Sequence, residues 1–175
     1  MSDTFVISLG GSVIVPSTID IAFLKKFKTL ILRQVKKGKK FVIVCGGGRI
    51  SRTYQQAARD LSKINAEDLD WLGIHTTRLN ASLLRTIFRK HAHRKIIKNP
   101  TKKFSFKEKI LVASGWQPGC STDYDAVLLA KQLKIKKLIN LSDINYVYDR
   151  DPKTHTDAKK LDTVSWAAFR KMLPR

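Results

Sequence analysis

Three loops rich in glycine and small polar residues carry the residue types that handle phosphate: Gly10-Gly11-Ser12, then Gly46-Gly47-Gly48 with Arg49 and Arg52 just beyond, and the stretch 115–123. Glycines without a Cβ let backbone come close to a ligand. The third loop ends in Ser121-Thr122-Asp123, at the head of a run with apolar residues at 126, 127, 129, 130 and 133, which is helical spacing. Any of those three residues can cap the helix, and a helix start offers unpaired N–H groups and a positive dipole end to an anion. An aspartate there is more specific, because it can orient a lysine, an arginine or a metal beside a phosphate. Arg49 and Arg52 fall where the dipole of the next helix disfavours cations, and a phosphate partner accounts for them. Taken singly, each feature has a simpler reading: a capped turn, a Gly-Gly turn, solvated arginines. Together they point to transfer of a charged group held by loops and basic residues.

Other chemistries find no support. His75, His91, His93 and His155 lack zinc-ligand spacing, and there is no Gly-x-Ser-x-Gly elbow. The two early glycine loops fit neither the Walker nor the dinucleotide pattern. Cys45 and Cys120 form neither a disulfide framework nor a metal set, and Cys45, closing an apolar run, reads as a small core residue. Trp71, Trp116 and Trp166 are too far apart to form a stacking platform for bases.

These loops need a scaffold, and the flanking sequence supplies one. Apolar, largely β-branched runs at 4–9, 41–45, 110–114 and 137–141 read as buried strands, each leading into a glycine-rich or polar turn at 10–12, 46–48, 115–123 and 142–151. Helical periods cover 20–37, 49–61, 67–91, the run after 121, and 166–173, while 95–97 and 159–164 read as short strands and 101–109 as a basic loop. Strands alternating with helices predict an α/β fold with a mostly parallel open sheet covered on both faces. Ligands of such sheets bind outside the carboxyl ends of the strands, where all four turns fall.

At 175 residues, 43% of them hydrophobic, the chain suits a single domain with a real core. Lysines and arginines outnumber acids 34 to 14, for a net charge of +20. The excess is spread along the chain, so it reads first as solvated surface, and it makes non-specific nucleic-acid contact an expectation as well. No basic leader with a long apolar region and no run near 20 apolar residues occurs, so no membrane is expected and the cytoplasm is the expected location.

With these residues in view, the chain resembles the amino acid kinase family, in particular its archaeal-type uridylate (UMP) kinases. The likeness runs from residue 5 to about 173. It rests on Ser8-Leu9-Gly10-Gly11-Ser12-Val13, Cys45-Gly46-Gly47-Gly48-Arg49, Asp70-Trp71-Leu72-Gly73-Ile74 with Thr77-Arg78-Leu79-Asn80-Ala81, Pro118-Gly119-Cys120-Ser121-Thr122-Asp123, and Asn145 to Pro152, in that order. The resemblance implies an open α/β sandwich that moves a phosphoryl group from Mg·ATP to UMP, with Mg²⁺ arriving on ATP and a dimer or hexamer as the assembly. It implies ATP contacts at Gly10, Gly11, Ser12, Gly48, Arg52, Ser142, Asp143, Tyr148 and Asp151. UMP contacts would come from Gly47, Asp70, Trp116, Gln117, Pro118, Gly119, Cys120, Ser121 and Thr122. Asp123 and Arg52 would serve the reacting centre.

Three departures stand out. Ser8 occupies the position where many members carry a lysine, the segment 143–148 lacks the family's glycine, and the chain stops where members continue, so residues 1–175 are expected to form one domain short of its last strands. The alternatives are a related kinase for another small phosphate or carboxylate, and a nucleotide- or RNA-binding relative with impaired catalysis.

Overall fold

A computed structural model describes residues 3–144, 146–150, 152 and 154–172. Four strands form one sheet: β1 (Thr4–Leu9), β2 (Lys40–Cys45), β3 (Ile110–Ala113) and β4 (Leu138–Leu141). Their order is β3-β2-β1-β4 and every pairing is parallel. The register sets Leu9 opposite both Cys45 and Leu141, and Val44 opposite Ala113. The carboxyl ends of β1, β2 and β4 therefore finish level, with β3 one residue short, and the loops that follow them open on one edge.

The helices between them are α1 (Gly11–Ile14), α2 (Ile21–Lys36), α3 (Gly48–Leu61), α4 (Ala66–Ile87) and α5 (Thr122–Gln132), with α6 (Trp166–Met172) near the end. Period-2 alternation in the strands divides the core between two faces. Ile7, Leu9, Phe41, Ile43, Cys45, Ile110 and Val112 meet Leu24, Phe27, Ile31 and Val35 of α2 and Ala81 and Leu84 of α4. On the other face Val6, Val42, Val44, Leu111 and Ala113 meet Ala126, Leu129 and Ala130 of α5. Each such aliphatic side chain, fully buried, contributes about 1.5–3 kcal/mol, so the sheet is the rigid reference for everything attached to it. By contrast α3 has no buried residue.

The parallel α/β architecture expected from the sequence is present. Asp20 caps α2 by accepting from the Phe23 amide at 2.8 Å, and Asn65 caps α4 by accepting from the Asp68 amide at 2.7 Å. The long helix expected over 67–91 stops at Ile87, because Phe88 is buried in the core and the chain turns there, with the His91 amide reaching back to the Phe88 carbonyl. No strand forms at 95–97. Ile97 makes a single parallel bridge to Ala113, and the turn at Asn99-Pro100 ends the pairing at once. The short strand expected over 159–164 reduces to one antiparallel bridge between Tyr148 and Lys160.

Met1–Ser142 and Asp143–Arg175 are two compact units. Within the second, Asp149 accepts from the Lys159 amide at 2.8 Å, a contact that holds its carboxyl below the usual range. Among the described residues, no helix is long and apolar enough to cross a membrane.

Candidate active site

The loops after β1 and β2 are interlocked. A side chain on Gly11 would run into the backbone of Gly47 and Gly48, and one on Gly48 would run into that of Gly11. Gly48 also has φ +70°, a conformation that L side chains rarely adopt. The glycines let two backbones touch, a demand that a plain turn does not make. The Gly10 amide is already committed to the Leu141 carbonyl at 2.8 Å, and Gly46 donates to Leu9 O at 2.9 Å. The edge formed by β2, β1 and β4 is thus tied together by main chain immediately above the strands.

One face of α4 frames both remaining loops. Asp70, Gly73, Thr77 and Asn80 recur at offsets of three and four, which places them in one stripe. Asn80 Nδ2 donates to Gly46 O at 2.8 Å and Gly47 O at 3.3 Å. Thr77 Oγ1 donates to Ile74 O and accepts from Gly115 N at 2.8 Å. Asp70 Oδ2 accepts from Gly119 N at 2.7 Å. Gly73 is where α3 comes close, since a Cβ there would sit 3.1 Å from Ser51 Oγ and 3.2 Å from Gln55 Nε2. Gln55 in turn donates to the Leu69 carbonyl at 2.8 Å, a polar contact with α4 for a helix that lacks buried residues.

The loop leaving β3 is held from the other side by α5. Ser121 is the cap, its Oγ accepting from Tyr124 N at 3.1 Å. Asp125 Oδ2 accepts from Trp116 N at 3.1 Å. Asp123 does not cap the helix: its Oδ1 accepts the hydroxyl of Ser8, at 2.6 Å. Ser8 lies on the α5 side of β1 because it alternates with Ile7 and Leu9, which face the other core. The residue standing where many members carry lysine therefore touches the aspartate that opens α5.

Between these walls lies a cleft of about 200 Å³. Gly47, Gly48, Arg52, Asp70, Gln117, Cys120 and Thr122, all singled out from the sequence, line it. It also takes in Ser51, Gln55, Gly73, Ile74, Thr77 and Gly115, which sequence reasoning left without a role; the helical stripe 70, 73, 77 was the available signal. Trp116, Pro118, Gly119 and Ser121 belong to the same loop without lining the cleft. Gly10, Gly11 and Ser12 adjoin it through the Gly11–Gly48 contact, and the Ser142 Cα lies beside Gly10. Asp143 and Tyr148 belong to the second unit, and Asp151 lies outside the described residues. Cys45 is fully buried and burial pushes its thiol far up, so it is no nucleophile.

The chain matches the amino acid kinase family over residues 3–173. It is 36% identical to the uridylate kinase of Thermococcus sibiricus over 162 residues, covering 91% of this chain and 71% of that protein. It is 33% identical to the uridylate kinase of Thermoplasma acidophilum over 174 residues, covering 95% and 72%. The crystal structure of uridylate kinase from Archaeoglobus fulgidus superposes with a TM-score of 0.74 at 31% identity, covering 98% of this chain and 77% of that one. UMP kinase from Ureaplasma parvum gives the same TM-score at 19% identity, covering 98% and 80%, a likeness of fold. With a match that spans both interlocked glycine loops and the loop over the cleft, the chain belongs to the amino acid kinase family.

Proposed function

We propose that the chain transfers the γ-phosphoryl group of Mg·ATP to UMP, giving UDP and ADP. The observation that supports this most is the single cleft shared by the glycine loop of α3, Arg52, and the loop 115–122, with the Ser8–Asp123 pair at the head of α5. The coarser part, phosphotransferase activity, rests on the family. The finer part rests on the relatives named uridylate kinase and on the pairing of Asp70 with Gly119.

The reaction asks little covalent work of the protein. An oxygen of the acceptor phosphate attacks the γ-phosphorus while the bond to the β-phosphate oxygen breaks, and ADP leaves. The acceptor is already anionic near neutral pH, since the second ionisation of a phosphate monoester lies near 6, so no general base is required. Positioning and charge neutralisation remain. Arg52, exposed at the cleft, supplies positive charge to the phosphoryl group in flight.

Mg²⁺ enters as part of the Mg·ATP substrate. Among the described residues, no group of three or more His, Cys, Asp or Glu could hold a metal by itself. With Mg·ATP bound, Asp123 is the carboxylate that would stand beside the ion, which keeps most of its ligands from phosphates and water.

The loop 115–122, which we term the acceptor loop, selects the nucleoside monophosphate. The test is a panel of UMP, CMP, AMP, isopentenyl phosphate and small carboxylates with ATP, read by ADP release. UMP should lead by at least tenfold in kcat/KM, about 1.4 kcal/mol. Equal rates with AMP or CMP would overturn the assignment.

A second reading has one observation behind it: α2 carries Lys25, Lys26, Lys28, Arg33 and Lys36 and no acidic residue. Polyanion contact by this helix would show as RNA binding that weakens steeply with salt.

A further inference from the structure

Asp125 is fully buried, with no ionic partner beside it among the described residues. Its Oδ2 accepts from the Trp116 amide at 3.1 Å, and its Oδ1 is buried with no hydrogen-bond partner among the described residues. A half-satisfied carboxylate in a core of this kind is costly, and an apolar side chain would pack there more cheaply. Its side-chain hydrogen bond goes to the loop over the cleft. We infer that Asp125 is a positioning residue for the acceptor loop, fixing the exit of that loop from β3 through the Trp116 amide so that residues 117–122 meet the acceptor. This rests on the reading of 115–122 as the acceptor loop.

The geometry makes the placement two-sided. Consecutive amides are gripped from opposite elements, Gly115 by Thr77 of α4 and Trp116 by Asp125 of α5, while Asp70 takes Gly119 farther along. Removing one grip frees the loop without touching the interlocked glycines that adjoin the cleft from the β1 side, so acceptor binding should suffer and ATP binding should not.

The core around this grip is apolar. The strand residues packed against α5 are Val6, Val42, Val44, Leu111 and Ala113, and the segment before β3 reaches the same core through Ile97, Phe104 and Phe106.

The experiment uses the full chain with Trp71→Phe and Trp166→Phe, which leaves Trp116 as the sole tryptophan. Emission of the ligand-free protein and KM for UMP and for ATP are measured at pH 8. We expect Trp116 emission to shift in Asp125→Ala and to match the parent in Asp125→Asn. Asp125→Ala should raise KM for UMP about tenfold or more with KM for ATP within about twofold. Asp125→Asn, whose amide oxygen accepts the same N–H, should restore KM for UMP to within about threefold.

A folded Asp125→Ala variant with unchanged KM for UMP overturns the inference, as does one in which both KM values rise together. If Asp125→Ala does not fold, Asp125→Val, which fills the site without an acceptor, takes its place, and Trp116 emission unchanged in it overturns the inference. If UMP proves not to be a substrate, the acceptor reading fails separately, while the emission of these variants still reads the Asp125–Trp116 grip.

Discussion

Ser8 and Asp123 are 115 positions apart in the chain and joined by a 2.6 Å hydrogen bond, the serine hydroxyl donating to the carboxylate. The bond ties the carboxyl end of β1 to the first turn of α5, across the edge where the glycine-rich loops open. It fixes the direction of the carboxylate without neutralising it, as a neutral donor does, and leaves the charge available to orient a cation.

Asp123→Asn should therefore separate chemistry from stability. Ser121 caps α5, so the cap survives the substitution, and an amide oxygen can still accept from Ser8. Stability should fall by less than about 1 kcal/mol while kcat falls by orders of magnitude. Melting temperature and kcat on one preparation check this. Turnover within a few-fold of the parent would reduce Asp123 to a structural tie.

Arg52→Ala should leave the fold intact, because α3 buries none of its side chains and Arg52 is exposed. Under the proposed function, losing its charge should lower kcat by about 10²–10³-fold, a loss of about 3–4 kcal/mol at the transition state. A kinetic comparison at saturating UMP and ATP reads it directly, and an unchanged kcat would return Arg52 to the solvated surface.

Asp125 should give the fold a pH dependence opposite to that of a salt-bridged carboxylate. Its carboxyl ordinarily titrates near 3.8 and is pushed up to about 6 in the native chain. Between those values the native chain holds the proton and the unfolded chain does not. This contribution to stability is fully present below about 3.8 and is lost as pH rises through 6. At about 1.4 kcal/mol per unit, the ionised form costs on the order of 3 kcal/mol. Asp125→Asn should melt higher than the parent at pH 8, by roughly half as much at pH 5, and close to it only below about 3.8. Urea unfolding at the two values checks the sign, and equal midpoints at pH 8 would place the carboxylate in a more polar setting than its burial implies.

The sequence by itself determined the parts that are local. Apolar β-branched runs ending in glycine gave the strands, a 3.6 period gave the helices, and short polar residues gave caps such as Asp20 and Asn65. These follow from backbone sterics and hydrogen bonding within a few residues, so a linear reading reaches them. The family's loops were legible for the same reason, since each is a short string.

Only the tertiary structure decided what those strings face. Level carboxyl ends follow from the sheet register, and the register is set by packing across strands tens of residues apart. The fit of Gly11 into Gly48, the hydroxyl of Ser8 on Asp123, and Asn80 on two glycine carbonyls all depend on it. Asp125 shows the limit most sharply. In sequence it is an acid in the first turn of a helix, where the dipole favours an exposed carboxylate. In the fold it is on the side of α5 turned to the sheet, two positions after the exposed Asp123, so the same residue type becomes a buried group whose carboxylate bonds the loop over the cleft. Helical spacing says which residues share a face, but which face meets the core is settled only when the sheet closes against it.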